Sequence, residues 1–164
     1  MSVDYSEKLA NSIKRMLDDY NVDYYFNDEM GKFEFALDCE KFRLKHIRMI
    51  ILVLNEGFRV YGTPDLSIDM EDLRTLNRVN EYICRANDDS GNGLFTIFFS
   101  SGLIAFKVYI RCSSQNITSS DFIYAIFLPL SMFEGFGNGL LDVIYSNVNV
   151  ESAYIAAKRE NNLN

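Results

Sequence analysis

The chain has 164 residues, of which 48% are hydrophobic and 24% charged, which excludes an intrinsically disordered protein and predicts a single domain over residues 1–164. Its formal net charge of −7 excludes a generally basic nucleic-acid-binding protein. The longest apolar stretch, Phe122–Phe133, is shorter than the roughly 20 residues that a membrane span needs, so we expect no membrane segment.

The predicted elements begin with an amphipathic helix over about Ser6–Tyr20, where Asp4 and Glu7 have the spacing of a capping box. Asn21 stands where this helix is expected to stop. Alternating apolar residues and intervening turn residues then predict a meander of strands. These strands are Asp23–Phe26, Lys32–Leu37, Leu44–Leu54 and Phe58–Tyr61.

A second helix is predicted over about Met70–Ala86, with Asp69 as its N-cap. Its inner stripe is expected to contain Leu73, Leu76, either Val79 or Asn80, and Ile83. A hairpin follows, in which a tight Ser101-Gly102 turn joins two strands. The two strands are Leu94–Phe99 and Leu103–Arg111.

The last helical region is strongly apolar and runs from about Thr118 to Ser146. Pro129 predicts a kink in it, and the glycines of segment 135–139 predict a break into two helices. A short helix over Glu151–Arg159 and a frayed tail over 160–164 complete the chain. Because tight turns join neighbouring strands, the pattern predicts an α+β fold with an antiparallel sheet and the order α-β-β-β-α-β-β-α.

Few residues of the chain are suited to catalysis or metal binding. His46, the only histidine, lies between Lys45 and Arg48 with no evident carboxylate to orient it. A zinc site built on histidine pairs is excluded. The sequence contains no phosphate-binding glycine motif and no nucleophile elbow. We therefore expect no enzymatic activity, no catalytic residues, no metal and no cofactor.

The three cysteines, Cys39, Cys84 and Cys112, are too widely spaced to indicate a disulfide framework. We expect Cys84 and Cys112 to be small buried apolar residues. The first ten residues lack the basic and apolar regions of a signal peptide, and a cytoplasmic location is the simplest expectation.

Two charged clusters have competing interpretations. The acids of segment Asp65–Asp72 could serve acid-base chemistry or hold a cation, or they could stabilise a helix N-terminus through its dipole. The basic residues between Lys41 and Arg48 could bind nucleic acid, or they could protect a strand edge from aggregation. The acidic net charge favours the second interpretation of the basic run.

Some strands carry apolar residues on both faces, which a half-exposed antiparallel sheet does not require. Ile50, Leu52 and Leu54 lie opposite Ile51 and Val53 on one strand, and Leu94 and Phe98 lie opposite Phe95, Ile97 and Phe99 on another. A cover is therefore expected over the second face: the last helix, a second copy of the chain, or a segment of a partner. The predicted interface residues are Ile50, Leu52, Leu54 and Phe98.

The element order resembles the YbjN-like family, which shares the fold of the type III secretion chaperones. The resemblance is carried by the first helix before Gly31–Leu37, the strand pair Met49–Leu54 and Phe58–Tyr61, the helical segment Leu76-Asn77-Arg78-Val79-Asn80, and the Leu94–Phe106 hairpin. Pro129, the glycines of the last helix and the segment after Val148 depart from the family pattern.

The resemblance implies a chaperone-like adaptor or sensory-transduction regulator of bacterial signalling or secretion, which binds another protein or forms a homodimer. It supplies no catalytic residues. The acidic balance of the chain favours a basic partner. The alternatives are a small-molecule-binding or enzymatic domain that uses the Asp65–Asp72 cluster, and a purely structural homo-oligomer.

Overall fold

The computed structural model describes residues 4–112 and 117–161. Within these ranges the chain forms six strands, β1 (Tyr25–Asn27), β2 (Lys32–Asp38), β3 (His46–Leu54), β4 (Gly57–Thr63), β5 (Gly93–Phe98) and β6 (Leu103–Arg111). It also forms four helices, α1 (Glu7–Asp19), α2 (Leu73–Asn87), α3 (Ser119–Tyr145) and α4 (Val150–Glu160). Glu160 of the tail predicted to fray belongs to α4, and residues 162–164 of that tail lie outside the described residues.

The six strands form one sheet in the order β1-β2-β3-β4-β6-β5, in which every neighbouring pair is antiparallel. The predicted α+β class and antiparallel sheet are confirmed. The observed order has one strand and one helix more than the order α-β-β-β-α-β-β-α. The additional elements are β1 and α4, which the local patterns indicate at nearly the same residues.

The predicted capping box of α1 is wrong, because the N-cap is Ser6 rather than Asp4. Ser6 has an extended backbone, and its hydroxyl oxygen accepts a hydrogen bond from the Leu9 N–H at 3.2 Å. The helix ends as predicted, because Asn21 adopts a positive φ of 52° that a continuing helix does not allow.

Helix α2 begins later than predicted, at Leu73, because its N-cap is Asp72. Asp69 instead accepts a hydrogen bond from the Glu71 N–H in the preceding turn. Leu73 therefore lies in the first turn and is 66% exposed, so its predicted place on the inner stripe is wrong. The buried residues of α2 are Val79, Tyr82, Ile83 and Ala86.

Helix α3 is continuous over 27 residues, so the predicted break at segment 135–139 is wrong. The glycines there allow close packing instead. A Cβ atom at Gly137 would lie 2.6 Å from Cε2 of Phe42, and one at Gly139 would collide with the Tyr82 hydroxyl. Pro129 lies inside the helix without ending it, and its Cβ packs against Gly62 of β4.

The helices pack on one face of the sheet and enclose the core there. Ring pairs join the sheet to α3: Phe58 to Phe122, and Phe95 to Phe133. Helix α4 packs on α2 and α3. No helix in the described part of the chain is both long enough and apolar enough to cross a lipid bilayer.

Candidate protein-interaction surface

The second face of the sheet is covered by no helix in residues 4–112 and 117–161. Its residues alternate with core residues along each strand, so β3 buries Ile47, Met49, Ile51 and Val53 while the residues between them remain partly or fully exposed. We call this surface the open face. Its central residues are Lys32, Glu34, Arg48, Ile50, Leu52, Leu54, Arg59, Tyr61, Leu94, Phe98, Lys107 and Tyr109.

All four predicted interface residues lie on the open face. Ile50, Leu52 and Leu54 follow one another along β3 and are half-buried, whereas Phe98 lies on the edge strand β5 and is 37% exposed. Tyr61 joins the two groups, because it pairs with Ile50 across β3 and β4 and its ring centroid is 5.7 Å from that of Phe98.

Two of the expectations about this face are wrong. Helix α3, one of the three predicted covers, packs on the opposite face of the sheet. Phe99, which was predicted to share a strand face with Phe95, lies in the turn after β5 and is 83% exposed.

Sequence reasoning missed Tyr61, Lys107 and Tyr109 as members of this surface. In the register, Ile50 pairs with Tyr61 and Tyr61 pairs with Lys107, while Arg59 pairs with Tyr109. The alternation of Arg59 and Tyr61 with the buried Phe58 and Val60 places both on the second face. Only the non-local pairing of β4 with β6 brings the β6 residues beside them.

The charged side chains of the open face differ in their partners. Lys32 Nζ lies 2.6 Å from Glu34 Oε1, and the Arg59 guanidinium lies 5.9 Å from the centre of the Tyr109 ring. Arg48, Arg59 and Lys107 form no ion pair with any carboxylate of the described residues. These three cations are therefore available to groups outside the chain.

A shallow depression of about 370 Å³ lies at one end of the open face. Its lining includes Ala36, His46, Arg48 and Thr63. His46 Nδ1 is 2.7 Å from Asp38 Oδ1, so the expectation that no carboxylate orients this histidine is wrong. Both side chains are exposed, and the pair lies at the end of the β2–β3 ladder.

The backbone edge of β5 is partly occupied by side chains. Asn87 Oδ1 accepts a hydrogen bond from the Phe95 N–H at 2.6 Å, and Asn87 Nδ2 donates to the Phe95 carbonyl at 3.2 Å. The Ser90 hydroxyl donates to the Gly93 carbonyl. These are outward-facing backbone groups, which an added strand would need. The opposite edge strand, β1, has only three residues.

Two of the acids in segment 65–72 have local structural roles. Asp72 caps α2 and Asp69 closes the preceding turn. The hydroxyl and the backbone N–H of Thr75 donate to the Asp72 carboxylate and lower its pKa. In the described ranges 4–112 and 117–161, no three His, Cys, Asp or Glu side chains are grouped so that they could hold a metal ion.

Most of the basic run does not form a strand edge, because residues 41–45 lie in the loop between β2 and β3. Arg43 donates to the Asn138 carbonyl at 2.7 Å and to Asp142 Oδ1 at 2.6 Å. Lys45 Nζ donates to the Glu40 carbonyl at 2.9 Å. These bonds connect the loop to α3 and to itself, and they use part of its positive charge.

The cysteines differ from the expectation. Cys84 is exposed and Cys112 is only half-buried, so the prediction that both are buried is wrong, and Cys39 is the buried one. Burial, together with the nearby Glu134 carboxylate, raises the pKa of the Cys39 thiol to about 11. Cys39 is therefore protonated at neutral pH and is a weak nucleophile.

No protein-family model matches this chain, and no curated protein matches it either.

Proposed function

We propose that this chain is a non-enzymatic protein-binding domain whose open face holds a segment of a partner protein. The observation that carries the proposal is the row of half-buried aliphatic side chains at Ile50, Leu52 and Leu54, on a face that the described helices do not cover. The resemblance to the YbjN-like family and to the type III secretion chaperones supports a chaperone-like adaptor or regulator that works in the bacterial cytoplasm.

A chain segment that lies along β3 would bury the aliphatic row of the open face. Ile50, Leu52 and Leu54 follow one another about 6.7 Å apart on one face of the strand, so the row is about 13 Å long. Alternate side chains of one extended segment have the same spacing. A segment of a few residues is therefore sufficient to cover the row.

The strand edges favour binding across the face over strand addition. An added strand would have to displace Asn87 and Ser90 from the backbone of β5, or to pair with the three residues of β1. Binding across the face leaves all of these bonds intact.

The test compares Leu52→Glu with Leu73→Glu, a matched change at an exposed leucine of α2 that lies away from the open face. Peptides are selected from a random displayed library against the wild-type protein. We expect the enriched peptides to lose binding to Leu52→Glu by at least about tenfold and to keep binding to Leu73→Glu, because a buried charge without a partner opposes association. Circular dichroism checks that both variants fold.

Two results would contradict the proposal. One is equal binding of the selected peptides to the wild type and to Leu52→Glu. The other is a wild-type mass, measured by light scattering after size exclusion, that corresponds to a dimer and falls to a monomer in Leu52→Glu. That second result would assign the open face to self-assembly.

A further inference from the structure

We propose that the segment held by the open face is acidic, with aliphatic side chains spaced between its carboxylates. This inference rests on the proposed function and specifies the chemistry of the partner. It follows from the charge of the open face, which is opposite in sign to that of the chain as a whole.

Charge is unevenly distributed between the open face and the rest of the molecule. The strand positions that point to this face hold five of the 16 basic residues, but only two of the 23 acidic ones. The face thus has a net charge of +3, on a chain whose net charge is −7. The basic residues are Lys32, Arg48, Arg59, Lys107 and Arg111, and the acidic ones are Glu34 and Asp38.

Ion pairs within the described chain account for part of this charge. Lys32 pairs with Glu34 at 2.6 Å, and Arg111 pairs with Glu56 at 3.3 Å. The remaining three cations, Arg48, Arg59 and Lys107, form what we call the cationic frame.

The cationic frame surrounds the apolar centre of the face. Lys107 pairs directly with Tyr61, Arg59 precedes Tyr61 by two residues on β4, and Arg48 precedes Ile50 by two residues on β3. From strand and residue spacings, backbone positions of the frame lie roughly 8–14 Å apart. Carboxylates two to four residues apart on an extended chain span a similar distance, and apolar side chains between them would reach Ile50 and Tyr61.

The same observations weigh against the other occupants of this face. A second copy that stacked its open face on the first would bring two faces of +3 together, which costs free energy. A nucleic acid would meet the aliphatic row of β3. Of the aromatic rings on this face, Tyr61 already packs against Phe98, and Tyr109 has the Arg59 guanidinium near it. The other parts of the chain, with a net charge of about −10, would repel its phosphates.

The experiment extends the peptide selection and adds two variants with equal charge changes. Arg59→Glu/Lys107→Glu reverses two charges of the cationic frame. Lys8→Glu/Arg15→Glu reverses two exposed charges on α1 and serves as the control. The net charge of the enriched peptides is read by sequencing and compared with the starting library. Affinities of representative peptides are then measured by fluorescence anisotropy at about 50 mM and about 300 mM salt.

We expect the enriched peptides to be more acidic than the library and to carry aliphatic residues at alternating positions. Their affinity falls at least about tenfold in the frame variant, changes less than about twofold in the α1 variant, and weakens at the higher salt. Circular dichroism confirms that both double variants are folded.

Each other outcome overturns the inference in a recognisable way. Peptides that require Leu52 but are neutral or basic would refute the acidic partner and leave the proposed function standing. Acidic peptides that bind both double variants equally would refute the role of the frame. An absence of enrichment, or a dimer that depends on Leu52, would overturn both proposals. Oligouridine is measured in the same anisotropy assay. If it binds more tightly than any selected peptide, and this binding is lost in the frame variant, the face binds nucleic acid.

Discussion

The glycines of α3 lead to a prediction of opposite stability changes for one substitution at two nearby positions. Replacing glycine by alanine inside a helix stabilises it by about 0.8–1.0 kcal/mol when the new methyl group has room. At Gly135 the nearest atom to an added Cβ is Asn161 Nδ2 at 3.4 Å, an ordinary contact. Gly135→Ala is therefore expected to raise the free energy of unfolding by about 1 kcal/mol.

At Gly137 the added methyl group meets a ring that has no room to move. Phe42 is fully buried and its ring stacks on Phe133 with centroids 5.6 Å apart, so the Cβ contacts of 2.6 and 2.7 Å are relieved only by shifting packed atoms. Overpacking of this kind costs about 1–3 kcal/mol. After the gain in helix propensity, Gly137→Ala is expected to destabilise the protein by up to about 2 kcal/mol.

The two variants are compared by urea denaturation followed by circular dichroism, with thermal melting as a second measurement. The expected difference between them is about 2 kcal/mol, which corresponds to roughly 4–8 °C in melting temperature for a chain of this length. If Gly137→Ala proves as stable as Gly135→Ala, the close approach of Phe42 to α3 does not limit packing, and the explanation given for the continuous helix is wrong.

Three further predictions concern the thiols, the cap of α2 and the edge of β5. Exposed Cys84 is expected to react first with a thiol reagent at pH 7.5. Cys39 is expected to react only after denaturation, because burial raises its pKa to about 11. Fast labelling of Cys39 in the native protein would contradict its buried position. Because the pKa of Asp72 is lowered in the folded state, its ionised form stabilises the protein above the unfolded pKa near 3.8, and this contribution is lost as the pH falls through the lower folded value. The stability difference between wild type and Asp72→Asn should therefore shrink in acid, and a difference that grows there would refute the assigned bonds. Asn87→Ala leaves the outward backbone groups of Phe95 without their partner, so we expect the free energy of unfolding to fall by about 1–3 kcal/mol and the protein to self-associate on gel filtration. Asn87→Asp keeps the acceptor for the Phe95 N–H, and its stability is expected to lie between those of the wild type and Asn87→Ala. A fully stable monomer for Asn87→Ala would show that water replaces the amide.

The strands were predictable because alternation and turns are local signals. Phe33 and Phe35 alternate with polar neighbours along β2, and the two-residue connection between Leu54 and Gly57 fixes the register of β3 with β4. The same alternation was sufficient to place Ile50, Leu52 and Leu54 on one face of β3.

The helix starts were not predictable to the residue, because several acceptors compete within a few positions. Asp69 and Asp72 both suit an N-cap, and only the packed position of the helix selects Asp72. The glycines of α3 misled the prediction for a related reason. Glycine is expected to break an isolated helix, and the close approach of Phe42 that requires it is a contact between distant parts of the chain.

The charge of the open face also depended on non-local structure. Lys107 and Arg59 are far apart in sequence, and the pairing of β4 with β6 makes them neighbours. The net charge of the chain therefore indicated a basic partner, while the face itself carries the opposite sign.

The occupied edge of β5 has a consequence for how the protein behaves at high concentration. A sheet grows into fibrils or swapped oligomers by recruiting backbone groups at its two edges, and here Asn87 and Ser90 hold those groups at one edge, while the other offers three residues. Growth of the sheet is limited at both ends without the need for a closed barrel. The open face can therefore stay exposed while the strand edges beside it recruit few further strands.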